Sequence, residues 1–163
     1  MKSLRLALLL GLGLPAPASA AEFYVLDIGD GDATVIEPAQ ITSTPNGHKL
    51  VDLDRVDGLI NSVDISKVEI DCAGSRWNVI SEILYGLDDR QSVDKTSLND
   101  KGWTSIPDGS KAKEFLGFIC NWPNVPTNKD LEIEAADVWD MSKRAAQALD
   151  RMEQEDNQKG GGN

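Results

Sequence analysis

Lys67-Val68-Glu69-Ile70-Asp71-Cys72 alternates apolar and charged residues without a break. In a strand, Val68, Ile70 and Cys72 share one face, and Lys67, Glu69 and Asp71 share the other. A second pattern further along closes on another cysteine. Ala112, Phe115, Leu116, Ile119 and Cys120 fall at i, i+3, i+4, i+7 and i+8, one apolar stripe of a helix. Pro107-Asp108-Gly109-Ser110 supplies its start signal, with Asp108 or Ser110 as cap. Cys72 and Cys120 are the two cysteines of the chain. Each lies on the apolar face of its element, so the expected fold is α+β: an antiparallel β-sheet packed by a helix tethered through a Cys72–Cys120 disulfide. Such a bond closes a loop of about fifty residues and contributes roughly 3–4 kcal/mol. A reactive thiol needs an electropositive setting, whereas Cys72 stands beside Asp71 and Glu69.

Outward from this stretch the elements are less uniform. Ala73-Gly74-Ser75 reads as a turn. Residues 76–87 fit a strand, with Trp77, Val79, Ile83 and Tyr85 on one face. They also fit a helix through Ile80, Ile83, Leu84 and Leu87, and periodicity alone does not decide. The preceding turn favours a hairpin with residues 67–72. Residues 23–28 read as a first strand, and Gly29-Asp30-Gly31-Asp32 as a sharp connection to β-prone residues 33–37. After a polar connection over 38–47, residues 50–56 form a strand with Val51 and Leu53 opposite Asp52 and Asp54. Residues 88–102 read as a polar loop and residues 103–106 as a short extended piece. Residues 121–128, rich in Pro and Asn, break the tethered helix. A C-terminal amphipathic helix is expected over 130–153. Its stripe is Leu131, Ala135, Val138, Ala145, Leu149 and Met152, interrupted by Ser142 and bordered by Trp139. That stripe needs a cover, either the same domain or a second copy in a homodimer. Residues 154–163 are polar and glycine-rich, and read as a disordered tail.

The first twenty residues have the layout of a secretory signal peptide. Lys2 and Arg5 precede an apolar run over 6–14, and Ala18-Ser19-Ala20 offers a small-residue cleavage site. The expected division is a signal peptide over 1–20, an α+β domain over 21–128, a C-terminal helix over 129–153 and a tail over 154–163. The apolar run is too short to span a bilayer, and no second run is long enough, so no transmembrane anchor is expected. Removing Lys2 and Arg5, and no acid, takes the formal charge from −11 to −13. That argues against a nucleic-acid partner, which needs a basic patch. Two cysteines behind a signal peptide fit an oxidising periplasmic or extracellular compartment.

The chemistry-bearing residues are sparse. Residues 25–33, Val25-Leu26-Asp27-Ile28-Gly29-Asp30-Gly31-Asp32-Ala33, resemble the strand-turn opening of metallo-β-lactamase-like DNA-uptake proteins. Those enzymes also need a histidine-rich metal cluster, and His48 is the only histidine of this chain. Asp27, Asp30 and Asp32 do not have calcium-loop spacing either. A hydrolase using these aspartates with His48 is the enzymatic alternative. No catalytic, metal or cofactor residue is assigned, and no cofactor is expected.

Glu69-x-Asp71-Cys72, the following segment with Tyr85, then Trp103, Pro107, Gly109-Ser110 and a helix ending in Cys120 resemble the surface-adhesin protein E family. Val35-Ile36-Glu37-Pro38, Ile41, Gly47 and the strand near Val51 extend the match, which covers roughly residues 34–120. The resemblance implies a strand at 76–87. It also implies a non-enzymatic role: binding host extracellular proteins at a Gram-negative surface, often as a dimer. The chain lacks the family's lipid-anchor cysteine, and no family binding residue has a matching position here. The expected function is an exported binding module for extracellular or envelope proteins. A structural envelope protein or inhibitor acting as a dimer is the other non-enzymatic expectation.

Overall fold

The computed structural model describes residues 20–29, 31–97, 102–126 and 128–160. The expected signal peptide therefore lies, up to residue 19, outside the described residues. The strands are β1 (Ala21–Ile28), β2 (Asp32–Ile36), β3 (Thr42–Ser43), β4 (Lys49–Asp57), β5 (Ser62–Asp71), β6 (Arg76–Gly86), β7 (Ser92–Ser97), β8 (Thr104–Ser105) and β9 (Glu132–Ala135). The helices are α1 (Lys111–Asn121) and α2 (Val138–Gly160). One antiparallel sheet runs in the order β7-β6-β5-β4-β2-β1-β9, with β3 on β4 and β8 on β6. The α+β class stands, and residues 76–86 are a strand.

The central hairpin is built by its own acids. Asp71 ends β5, and its carboxylate accepts from Gly74 N at 2.9 Å and Arg76 Nε at 2.8 Å. These two bonds hold its pKa below the usual carboxylate range. A Cβ at Gly74 would lie 2.5 Å from Asp71 Oδ2, so the turn needs glycine there. At the other end, Asp57 Oδ1 accepts from Leu59 N and Ile60 N and closes the β4–β5 turn.

Strand alternation sends two apolar sets to opposite faces, and each face has its own helix. On one face Tyr24, Ile36, Val51, Leu53, Val68 and Ile70 pack with Leu116 and Ile119 of α1. Ser110 caps α1, its hydroxyl accepting from Lys113 N at 3.3 Å. Phe118 stacks on Tyr24 with ring centroids 4.7 Å apart. Cys72 and Cys120 join sheet to helix across this core, with Cα atoms 5.8 Å apart. On the other face Phe23, Val25, Val35, Val56 and Val63 pack with Met141, Ala145, Ala146 and Leu149 of α2. Trp139 meets Tyr85 edge-on at 5.1 Å. The C-terminal stripe is thus covered by the chain's own sheet as far as Leu149, whereas Met152 is exposed.

The C-terminal segment departs from expectation at both ends. In place of a helix from residue 130, Leu131 ends a short 3-10 turn and residues 132–135 form β9, which pairs with β1. Ala21 faces Ala135, and Tyr24 faces Glu132. Leu131 and Ala135 therefore pack on the core without belonging to α2. The helix starts at Val138, with Asp137 Oδ1 accepting from Asp140 N and Asp140 Oδ2 accepting from Ala136 N. It runs to Gly160 through polar residues expected to be a tail, because Gln, Glu and Lys are good helix formers. Residues 161–163 lie outside the described residues. The polar segment at 88–102 also holds a strand, β7, at the sheet edge, where polar residues are at home.

Ser142, the break in the stripe, is fully buried, and its hydroxyl has no hydrogen-bond partner among the described residues. Ser142→Ala removes a buried unsatisfied group without changing the packing volume much. It is expected to raise stability by about 1 kcal/mol in denaturant unfolding. A loss of stability would show that the hydroxyl has a partner.

Candidate binding site

The structure keeps His48 away from the aspartates singled out for acid–base work, although Asp27 and Asp32 lie near each other on the paired strands β1 and β2. Asp27 is paired to Lys111 Nζ at 2.7 and 2.8 Å, which ties β1 to the start of α1. Asp32 is paired to Arg55, Nε donating at 2.8 Å. Asp30 lies outside the described residues. His48 precedes β4, whereas Asp32 pairs with Asp57 at its far end. At ~3.3 Å per strand residue they are roughly 25–30 Å apart. His48 Nδ1 instead lies 2.9 Å from Glu69, and its ring meets Trp103 edge-on at 5.0 Å. Arg76 covers the same Trp103 ring at 4.9 Å. This surface network braces the hairpin beside the disulfide. Among the described residues, no cluster of His, Cys, Asp or Glu is arranged to hold a metal ion.

A different set of acids does converge. β4 alternates Val51 and Leu53 toward α1, so Asp52 and Asp54 point to the opposite face. There α2 arrives, and a cavity of about 130 Å³ remains beside its first residue. Glu37, just after β2, joins Asp52 and Asp54 in lining it. Its apolar wall is Phe23, Ile65 and Val138. Two of the three carboxylates have company. Gln40 Nε2 donates to Glu37, and Lys67 Nζ stands 3.8 Å from Asp52 Oδ1. That separation is too long for a hydrogen bond, and Asp52 Oδ1 is buried with no hydrogen-bond partner among the described residues.

Asp54 is the deepest of the three, 5% exposed, and shows no hydrogen bond or ion pair among the described residues. Its pKa is pushed up to about 7, first by burial and then by the charges of Asp52, Glu37 and Asp64. Every charge acting on it is negative. Asp64 on β5 is raised to about 6 by burial and by the neighbouring Glu82 carboxyl, with Arg55 and Ser66 pulling the other way. A buried carboxyl with no partner and a strongly raised pKa marks a candidate site, since folding gains nothing from holding it there.

None of these three acids stood out in the sequence. The signal was present only as Asp52 and Asp54 alternating with Val51 and Leu53, which reads equally well as a solvated face. Among the described residues no helix is long and apolar enough to cross a membrane. Comparison with known proteins returns nothing: no family model, no curated protein and no solved structure matches the chain.

Proposed function

We propose that the chain is an exported, non-enzymatic binding module of a Gram-negative envelope or cell surface, of the surface-adhesin protein E type, that engages extracellular or envelope proteins. The observation that carries binding is Asp54, a nearly buried side chain that lines a pocket beside α2 and has no hydrogen bond or ion pair among the described residues. Export is supported by the disulfide, which persists in oxidising compartments. It is also supported by the start of β1 at Ala21, the residue after the expected cleavage site. The formal charge, −13 once the signal peptide is removed, favours partners with basic surfaces. A dimeric structural role has less support, because α2 places its apolar stripe on its own sheet.

The test has two arms. Mass spectrometry of protein from native envelopes is expected to find an N-terminus at Ala21 or Glu22; a cytoplasmic species retaining Met1 would overturn export. Disulfide-bonded protein is then used to capture partners from envelope and host-matrix extracts, and each captured protein is titrated in purified form. A saturable complex that weakens with added salt is expected. The absence of saturable binding by every captured protein would overturn the binding role.

A further inference from the structure

The pocket beside α2 has the shape and charge of a receptor for a particular group. Its floor is anionic, and Asp54, nearly buried, has among the described residues no hydrogen bond or ion pair of the kind that a buried carboxylate needs. Its wall is apolar, made by Phe23, Ile65 and Val138. At about 130 Å³ it is well below the ~300–1,000 Å³ typical of sites for drug-sized ligands. It has room for the end of a chain. A bare metal ion does not suit it, since the carboxylates do not form a metal-holding group among the described residues. An amphipathic cation does: methylenes against the apolar wall, charge against the acids. The carboxylates come from separate places, Glu37 after β2 and Asp52 and Asp54 along β4. That arrangement suits a compact ammonium with three rotatable donors better than a planar guanidinium fork, which is matched by one coplanar carboxylate.

We infer that this pocket receives a primary ammonium at the end of an alkyl chain, presented by a lysine side chain of the partner protein, with Asp54 as its principal counter-charge. The inference rests on the binding role proposed above and names the chemistry by which a partner is held. The ammonium enters along the Phe23 and Val138 wall. It gives Asp54 an ion pair, and Asp52 Oδ1 a hydrogen-bond donor beside its long ion pair with Lys67.

The experiment is a titration of the full disulfide-bonded chain at pH 8, read by amide chemical shifts. The probes are n-butylammonium chloride, a capped Gly-Lys-Gly peptide and the same peptide with norleucine in place of lysine. Both ammonium probes are expected to saturate shifts around Asp52, Asp54 and Val138, and the norleucine peptide to leave them unmoved. Asp54→Asn is expected to weaken both ammonium probes at least tenfold. Glu114→Gln, an exposed acid on α1, is expected to change nothing. Absence of saturation, equal binding by Asp54→Asn, or equal binding of the norleucine peptide would overturn the assignment. Saturation by butylammonium alone would overturn lysine as its source. A captured partner protein that binds Asp54→Asn as tightly as the parent would sink the pocket assignment while leaving the binding role intact. Failure of every captured protein to bind the parent would sink that role instead.

Discussion

Asp54→Asn is expected to stabilise the protein at pH 8 and to leave it nearly unchanged at pH 4. The ordinary pKa of the group is 3.8, and in the folded chain it is about 7. Below pH 3.8 the carboxyl is protonated in both states, so the site is neutral in its effect. As pH rises toward 7 the unfolded chain gives up its proton while the folded chain keeps it, and stability falls. Above pH 7 the loss is complete, about 4 kcal/mol at most. Asparagine has nearly the shape of the protonated acid and cannot ionise, so it escapes that loss. Because Asp64 titrates in the same direction, and Asp71 and Asp140 in the opposite one, the quantity to measure is the difference between variant and parent. Urea unfolding at pH 4, 6 and 8 gives it. A difference that stays constant across the three values would show that Asp54 ionises normally in the folded protein.

Cys72→Ser is expected to cost about 2–5 kcal/mol. The cysteines are 48 residues apart in sequence, and closing a loop of that length removes about 4 kcal/mol of unfolded-chain entropy. The site also explains why the loss is structural. Cys72 and Cys120 both pack on the core formed by Val68, Ile70, Leu116 and Ile119. Without the bond, α1 is held by that apolar contact, its Lys111–Asp27 pair and the hydrogen bond from Lys113 Nζ to Ser75 Oγ. Unfolding of the parent under reducing conditions is expected to match that of the variant. Equal stability of oxidised parent and Cys72→Ser would overturn this account.

The half of the fold around the disulfide was legible because its signals are local and agree with one another. Alternation over 67–72 fixes one strand, the Ser110 cap and the stripe ending at Cys120 fix one helix, and the cysteines connect the two. The other half depends on a long-range pairing. Residues 131–135 place apolar side chains at 131, 133 and 135, but 131, 135 and 138 also fit a helix. The choice is made by β1, whose free edge takes Ile133 opposite Phe23. Nothing near residue 130 reveals that edge. Asp54 was missed for the same reason. Its alternation with Leu53 is visible, but burial comes from α2, a helix far away in sequence. Asp27, Asp32 and His48 drew notice for their chemistry, yet Lys111, Arg55 and Glu69 occupy them as structural partners.

The position of β1 between β2 and β9 has a kinetic consequence. Its contact with β2 crosses a short turn, whereas its contact with β9 joins Ala21 to Ala135 across most of the chain. Contacts of such separation carry a high loop-closure entropy and form late. The strands from β1 to β6 and α1 can assemble through nearer neighbours, with the disulfide sealing one face. The second face, with Phe23, Val35 and Val56, stays wet until the last segment of the chain docks. Slow steps in folding are therefore expected to be concentrated at the β1–β9 edge and beneath α2, on the side of the molecule that also carries the Asp54 pocket.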